Sequence, residues 1–308
     1  MNAAAQAPGS VALRPKVPGA KKRKHVSPLK MLPILFTVGP MILWLLIFVL
    51  CPLLYIFFIS FLKRSTYGGL DYIFNLDNYA KLFSPLYLEI FGISILIAAA
   101  TTILCFLIGY PFAYIIGRSQ SKHKSAMVLL MMLPFWTNSL IRTYGWITLL
   151  RNEGVFNTLL QAVHLTNHPL QLLYTTGSVM LGMVYTLFPY MVLPLYSSLE
   201  KLDGTLLEAS GDLGANPVRS FLRVTLPLTG PGIFAGAIQV FVPTLGYFFI
   251  SDLMGGGKTM LVGNLIENQF TSAQNWPFGA ALSIILIALT LLLLQVYKWC
   301  GGSMEDMA

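Results

Sequence analysis

Six stretches of this chain are apolar for long enough to cross a lipid bilayer, and short polar segments separate them. A helix rises about 1.5 Å per residue, so roughly 20 apolar residues span a hydrocarbon core of about 30 Å. Leu32–Leu62, Phe91–Ile116, Ala126–Leu150, Ser178–Leu199, Gly230–Ile250 and Gly279–Trp299 all meet that length. The pattern predicts an all-α polytopic membrane protein with six transmembrane helices. An even number places both termini on one side. Prolines 134, 189, 194 and 243 interrupt the apolar runs. Each frees a carbonyl and bends its helix, which neighbouring helices must accommodate. Glycines near these bends (Gly109, Gly182, Gly232, Gly236 and Gly246) would let helices approach closely.

Composition agrees with the pattern. The chain is 56% hydrophobic and only 10% charged, against about a quarter charged in soluble domains. Orientation follows from the positions of Lys and Arg. With the amino terminus inside, fourteen of the twenty fall on the cytoplasmic side, seven of them before residue 31. Lys63, Arg64, Lys81, Arg151 and Lys258 fall outside, and Arg142 lies within a span. Both termini are therefore expected to be cytoplasmic, in a multi-pass membrane protein. The net charge of +8 is a topology signal, not a nucleic-acid footprint.

Three regions are expected. Residues 1–31 form a disordered basic tail, residues 32–300 the six-span domain with a polar loop at 200–228, and residues 301–308 a short cytoplasmic tail. Lys21-Lys22-Arg23-Lys24 suits an anchor on anionic lipid heads. The first apolar run is too long for a cleavable signal peptide, and no small-residue cleavage site closes it. Cys51, Cys105 and Cys300 lie in or at the ends of spans, without metal-ligand spacing. The outer segment Arg151–Gly177 is polar, with leucine pairs suited to a short surface helix.

Tempting catalytic patterns fail on inspection. Gly255-Gly256-Gly257-Lys258-Thr259 resembles a phosphate loop, but Asp252 stands where the first glycine is needed, and a membrane span precedes it instead of a strand. His164 and His168 have helical metal-ligand spacing, yet Asn167 and Pro169 argue against a helix there. All four histidines lie in loops or tails, so no buried Ser–His pair can be assembled for intramembrane proteolysis. The chain reads as no enzyme, with no ATPase motif, metal or cofactor of its own.

The polar loop is different. Thr205-Leu206-Leu207-Glu208 has capping-box spacing, with Thr205 as N-cap. The helix would end at Gly214, suited to a left-handed C-terminal residue. Asn216-Pro217 then starts a second short helix, expected to stop before Pro227. Leu206, Leu207 and Phe221 would be apolar side chains on a solvated loop, a docking face. The local charge is nearly balanced (Glu208 and Asp212 against Arg219 and Arg223), which argues against a DNA reader.

The same segment resembles the signature of binding-protein-dependent ABC importer permeases. Glu208-Ala209-Ser210, three residues, Gly214, nine residues and Val224-Thr225-Leu226-Pro227 match it, with Ser210 for the second Ala and Val224 for Ile. Leu133–Arg142, Pro194–Asp203, Ser251–Gly256 and Asn275–Ala280 are similar to the first permease of spermidine/putrescine importers, over roughly residues 32–300. The resemblance implies a type I importer permease whose loop is a coupling helix seated in a cleft of a cytoplasmic ATPase. Leu206, Leu207, Glu208, Ala209, Ser210, Gly214 and Pro227 would form the coupling site. The implied partners are two ATPase subunits that bind ATP and Mg, a second permease and a periplasmic substrate-binding protein. The cargo would be a polyamine. Aromatic faces can hold such a cation, so Trp136, Tyr185 and Tyr247 are candidates for the path lining, and Arg142, a charge inside a span, is a further path candidate. Asp252 and Glu267 are candidates for its mouth. The alternative is a stand-alone secondary transporter or channel for a small cation, which would normally need ionisable residues inside its spans.

Overall fold

In the computed structural model, residues 38–65, 69–119 and 122–299 are described. The basic tail, the first residues of the first apolar run, Cys300 and the segment 301–308 lie outside them. The chain is mostly helical. Contacts divide it into two units, one ending at Leu53 and the other beginning at Leu54. Among the described residues, four helices are long and apolar enough to cross a membrane, and two bent pairs raise the number to as many as six.

The four are α1 (Val38–Ile59), α3 (Pro85–Arg118), α7 (Thr176–Glu200) and α13 (Trp276–Trp299). Helix α1 includes a π turn at Leu46–Leu50. Between α1 and α3 come an antiparallel hairpin, β1 (Leu62–Arg64) with β2 (Leu70–Phe74), and the short helix α2 (Asp77–Lys81). The first span therefore stops short of Leu62, and the second begins six residues earlier than the apolar run suggests.

The third and fifth apolar runs are not single rods. Helix α4 (Lys124–Met132) passes into a 3₁₀ turn at Leu133–Trp136. The chain then bends by 86° before α5 (Ser139–Leu150), which Asn138 caps by accepting from the Leu140 N–H at 2.8 Å. Pro134 lies in the turn and Asn138 ends it, so the expected continuous Ala126–Leu150 helix is broken where a backbone donor is missing and a capping side chain competes. Helix α6 (Val155–Ala162) follows, which is the short surface helix expected in the outer segment. Buried Asn157 anchors that segment by donating to Arg151 and Leu170 carbonyls and accepting from the Leu170 N–H.

After α7 come α8 (Gly204–Asp212), α9 (Pro217–Leu228) and α10 (Gly230–Gly246), the last two bent by 64°. The helix expected to stop before Pro227 instead runs through it, by way of a π turn at Phe221–Thr225. The expected run Gly230–Ile250 is also cut, because Tyr247 is extended and a new helix α11 (Phe248–Gly255) begins. Helix α12 (Val262–Thr271) completes the list before α13.

Helices α3, α7 and α10 pack on one another and form the core around Cys105, Tyr110, Leu187, Met191, Leu195 and Val240. Pro189 and Pro194 lie inside α7 without ending it, both buried against these neighbours. Close approach depends on Gly232 and Gly236, one turn apart on α10. A Cβ on Gly232 would fall 2.7 Å from the Pro194 carbonyl oxygen, and one on Gly236 would fall 3.0 Å from the Met191 carbonyl oxygen. The spacing is that of a small-xxx-small membrane interface. The outer faces of α3 and α13 expose long apolar side chains such as Leu96 and Leu291, as surfaces in contact with lipid do.

Candidate coupling face and substrate path

The N-cap of α8 is Asp203, not Thr205. The Asp203 carboxylate accepts from the Thr205 N–H at 3.0 Å, and this bonding holds its carboxyl below the usual range. The expected capping box of Thr205 with Glu208 is therefore not formed. A carboxylate brings a full negative charge to the positive end of the helix, which a threonine hydroxyl cannot. Glu208 is left exposed on the surface.

The other end follows the expectation. Gly214 is left-handed, with φ of 78°. The Gly214 N–H donates to Gly211 O at 2.8 Å and the Ala215 N–H to Ser210 O at 3.0 Å, closing a Schellman turn. Asn216 then caps α9 by accepting from the Arg219 N–H at 2.8 Å, with Pro217 at the first position. The departure at Ser210 has a local use. Its hydroxyl donates to Leu207 O at 2.8 Å and pairs with the Ser220 hydroxyl at 2.7 Å. Alanine could not make that tie between α8 and α9.

The exposed side of this helix–turn–helix carries Leu206, as expected, together with Glu208, Ala209, Gly214 and Pro227, while Leu207, expected to be exposed, is half-buried and Ser210 is buried. Phe221 is a correction. It turns inward and meets Tyr110 and Tyr114 edge-on, at 5.6 and 6.1 Å between ring centres. The sequence reading missed Leu213, Val218 and Leu222. Leu213 is the most exposed of them, at 88%. Its seven-residue spacing from Leu206, two helical turns, was the available signal.

The loop is fixed to the bundle at several points. Tyr110 Oη lies 2.9 Å from Thr229 Oγ1 at the bend between α9 and α10. Arg118 at the end of α3 donates to Leu202 O at 3.4 Å. Lys124 and Glu200 form an ion pair at 2.9 Å beside the end of α7. These contacts fix both ends of the α8–α9 segment, at Leu202 and Thr229, to α3.

Of the path candidates, Arg142, Tyr185 and Tyr247 come together. The Arg142 guanidinium lies 4.6 Å from the centre of the Phe135 ring and 5.6 Å from that of Tyr185. Arg142, Tyr190 and Tyr247 line one cleft of about 250 Å³ with Thr137, Ser139, Thr186 and Phe135. Arg142 therefore turns inward instead of reaching along its helix for the interface. Trp136 stands apart, 74% exposed, over a shallow apolar groove with Met132 and Tyr196.

Asp252 on α11 and Glu267 on α12 are near enough to interact. Burial pushes the Asp252 carboxyl up, a hydrogen bond from Asn264 opposes this, and the Glu267 charge adds to it. Asn264 donates to both Asp252 Oδ1 and Phe248 O, so it clamps α12 to α11. Glu267 Oε1 accepts from Thr271 at 2.9 Å. The end of α11 is held against the start of α7, where Ser178 Oγ donates to Met254 O at 2.8 Å. The 25 residues of α7 then separate this acidic pair from the coupling face by about 37 Å. The glycine run beyond Asp252 closes α11, with Gly256 and Gly257 both at positive φ and the Tyr174 ring against Gly256.

A model of the binding-protein-dependent transport system inner membrane component family matches residues 109–305. The chain belongs to that family. It is 46% identical over 261 residues to the spermidine/putrescine transport system permease protein PotB of Haemophilus influenzae, covering 85% of this chain and 91% of that protein. It is 45% identical over 254 residues to PotB of Escherichia coli, covering 82% and 92%. The inner membrane ABC transporter permease protein YdcU of Escherichia coli is 34% identical over 241 residues, covering 74% and 76%. Among solved structures, a chain of a bacterial ABC transporter that imports the acidic polysaccharide alginate superposes with a TM-score of 0.73. It is 16% identical and covers 88% of this chain and 96% of that one. At that identity the match shows the fold alone. The chain is an inner membrane permease with several membrane-spanning helices.

Proposed function

We propose that this chain is the permease subunit of an ATP-driven importer for polyamines of the spermidine and putrescine type. The observation that carries the reading is the identity of 45 to 46% to PotB permeases, spread over more than four-fifths of the chain. The α8–α9 unit is the surface on which a cytoplasmic ATPase subunit docks, and both termini lie on that side. Two ATPase subunits hold the ATP and Mg. A second permease completes the pore, and a periplasmic binding protein delivers the substrate.

The geometry suits this division of labour. Each helix of the unit is capped at its start, by Asp203 and Asn216, and short segments join the unit to α7 and α10. Movement of a docked ATPase would shift the two helices that pack at the glycine pair. Glu208, Leu206 and Leu213 present charge and apolar area to the partner, while Ser210 and Gly214 keep the shape.

For the cargo, inward movement is favoured by the membrane potential, by roughly 2.3 kcal/mol per charge per 100 mV. The barrier is desolvation of the ammonium groups. Asp252 and Glu267 offer negative charge at one end of α7, and Tyr185, Tyr190 and Tyr247 offer aromatic and hydroxyl faces further in. The test is purification from detergent with candidate partners co-expressed. Co-purification of an ATPase and a second permease is expected, with hydrolysis raised by a spermidine- or putrescine-loaded binding protein. A chain that purifies alone overturns the reading.

A further inference from the structure

Arg142 stands out as a cation in a chain proposed to move cations. Its Nε and Nη1 are buried and have no hydrogen-bond partner among the described residues. Among those residues no aspartate or glutamate lines its cleft, whose polar groups are the hydroxyls of Thr137, Ser139, Thr186, Tyr190 and Tyr247. Ring contacts with Phe135 and Tyr185 attract the guanidinium but do not accept its N–H groups in the plane of the fork. A buried guanidinium with unused donors is costly, and a bidentate carboxylate is the group whose geometry matches it. The Ser139, Tyr190 and Tyr247 hydroxyls can also donate to such an anion, while that of Thr137 donates to Pro134 O. The described lining supplies no carboxylate to meet these donors.

We propose that Arg142 receives an aspartate or glutamate carboxylate from the second permease, across the pore interface. The proposal rests on the two-permease reading. Charge complementarity identifies the occupant: an acid inside the membrane would be as costly alone as Arg142 is, and each relieves the other. The pair would close the path to small cations at rest. A polyamine ammonium reaching the same carboxylate competes with Arg142, which then retains its place over Phe135 and Tyr185. Only a cation able to hold the carboxylate would open the site.

The test uses the complete importer in nanodiscs. An Arg142→Lys variant is treated with a hydrophobic carbodiimide, which activates a buried carboxylate for attack by a neighbouring amine, and the products are mapped by mass spectrometry. The expected result is an amide link from position 142 to one Asp or Glu of the second permease, formed equally in nanodiscs of zwitterionic lipid and reduced at least threefold by saturating spermidine. In proteoliposomes holding the same importer, Arg142→Glu is expected to lower uptake at least tenfold, and exchange of the mapped acid for lysine to restore it. A second permease that co-purifies but gives no link, or a link only within this chain, overturns the proposal and leaves the two-permease reading standing. Loss of Arg142-dependent uptake only when anionic lipid is withheld would assign the site to a lipid phosphate and also overturns it. A preparation with no second permease overturns both.

Discussion

Replacing Gly214 separates the shape of the coupling face from its chemistry. Gly214 has φ of 78°, and a Cβ there would meet nothing within 4 Å. Gly214→Ala therefore causes no clash and costs only the left-handed backbone, about 1–2 kcal/mol. That corresponds to roughly a five- to thirtyfold loss in the population of the formed turn. Gly214→Pro also fixes φ near −65° and removes the N–H that donates to Gly211 O, a cost of about 3 kcal/mol or more, or a loss beyond a hundredfold. Gly211, three residues earlier, is helical with open space around it. Gly211→Ala is thus expected to be neutral or stabilising by about 0.5–1 kcal/mol. The assay is ATP-driven uptake by reconstituted importer, with the amount of permease in the membrane measured in parallel. The expected order is wild type and Gly211→Ala together, then Gly214→Ala, then Gly214→Pro with uptake near background, all at equal membrane levels. Wild-type uptake by Gly214→Pro, or equal loss in Gly211→Ala, would refute the reasoning.

Three further outcomes follow from the same geometry. Leu213→Glu, alone or with Leu206→Glu, adds charge to exposed positions, so membrane level and thermal stability should be unchanged while the ATPase no longer co-purifies. Gly236→Val forces a side chain into Met191 and is expected to cost at least about 1–3 kcal/mol of stability, read as earlier thermal unfolding in detergent. Asp252 has a carboxyl raised by burial, so the stability it contributes is present when it is protonated at low pH and is lost as pH rises through its folded value. Asp252→Asn should therefore raise the unfolding midpoint at neutral pH relative to wild type, with the difference shrinking toward acid, while uptake at low substrate concentration falls.

The sequence made the helical membrane class legible because long apolar runs leave few alternatives. Helices α3, α7 and α13 fall within a few residues of their runs. The breaks were not legible in the same way. Hydropathy is blind to direction, so neither the 86° bend after Trp136 nor the extended backbone at Tyr247 leaves a trace in it. Proline alone does not locate breaks either: Pro189 and Pro194 are absorbed inside α7 by packing, while Pro134 takes part in a turn. At the coupling face, Gly214 and Asn216-Pro217 were readable since their backbone chemistry is local. Asp203 displaced Thr205 because two side chains competed for one helix end, and the stronger acceptor won. Phe221 looked exposed because nothing in the sequence shows that Tyr110 and Tyr114, far back along the chain, receive it. Arg142, Tyr185 and Tyr247 were grouped by chemistry, and the fold places them together.

The central claim is ATP-driven movement of a polyamine through this chain. Its most direct test is uptake of radiolabelled spermidine or putrescine into proteoliposomes holding the chain with its ATPase, second permease and loaded binding protein. Uptake that requires internal-face ATP hydrolysis and stops when Glu208→Ala is combined with Leu213→Glu is the predicted result. Uptake by the chain alone, driven by an ion gradient without ATP, would contradict the account.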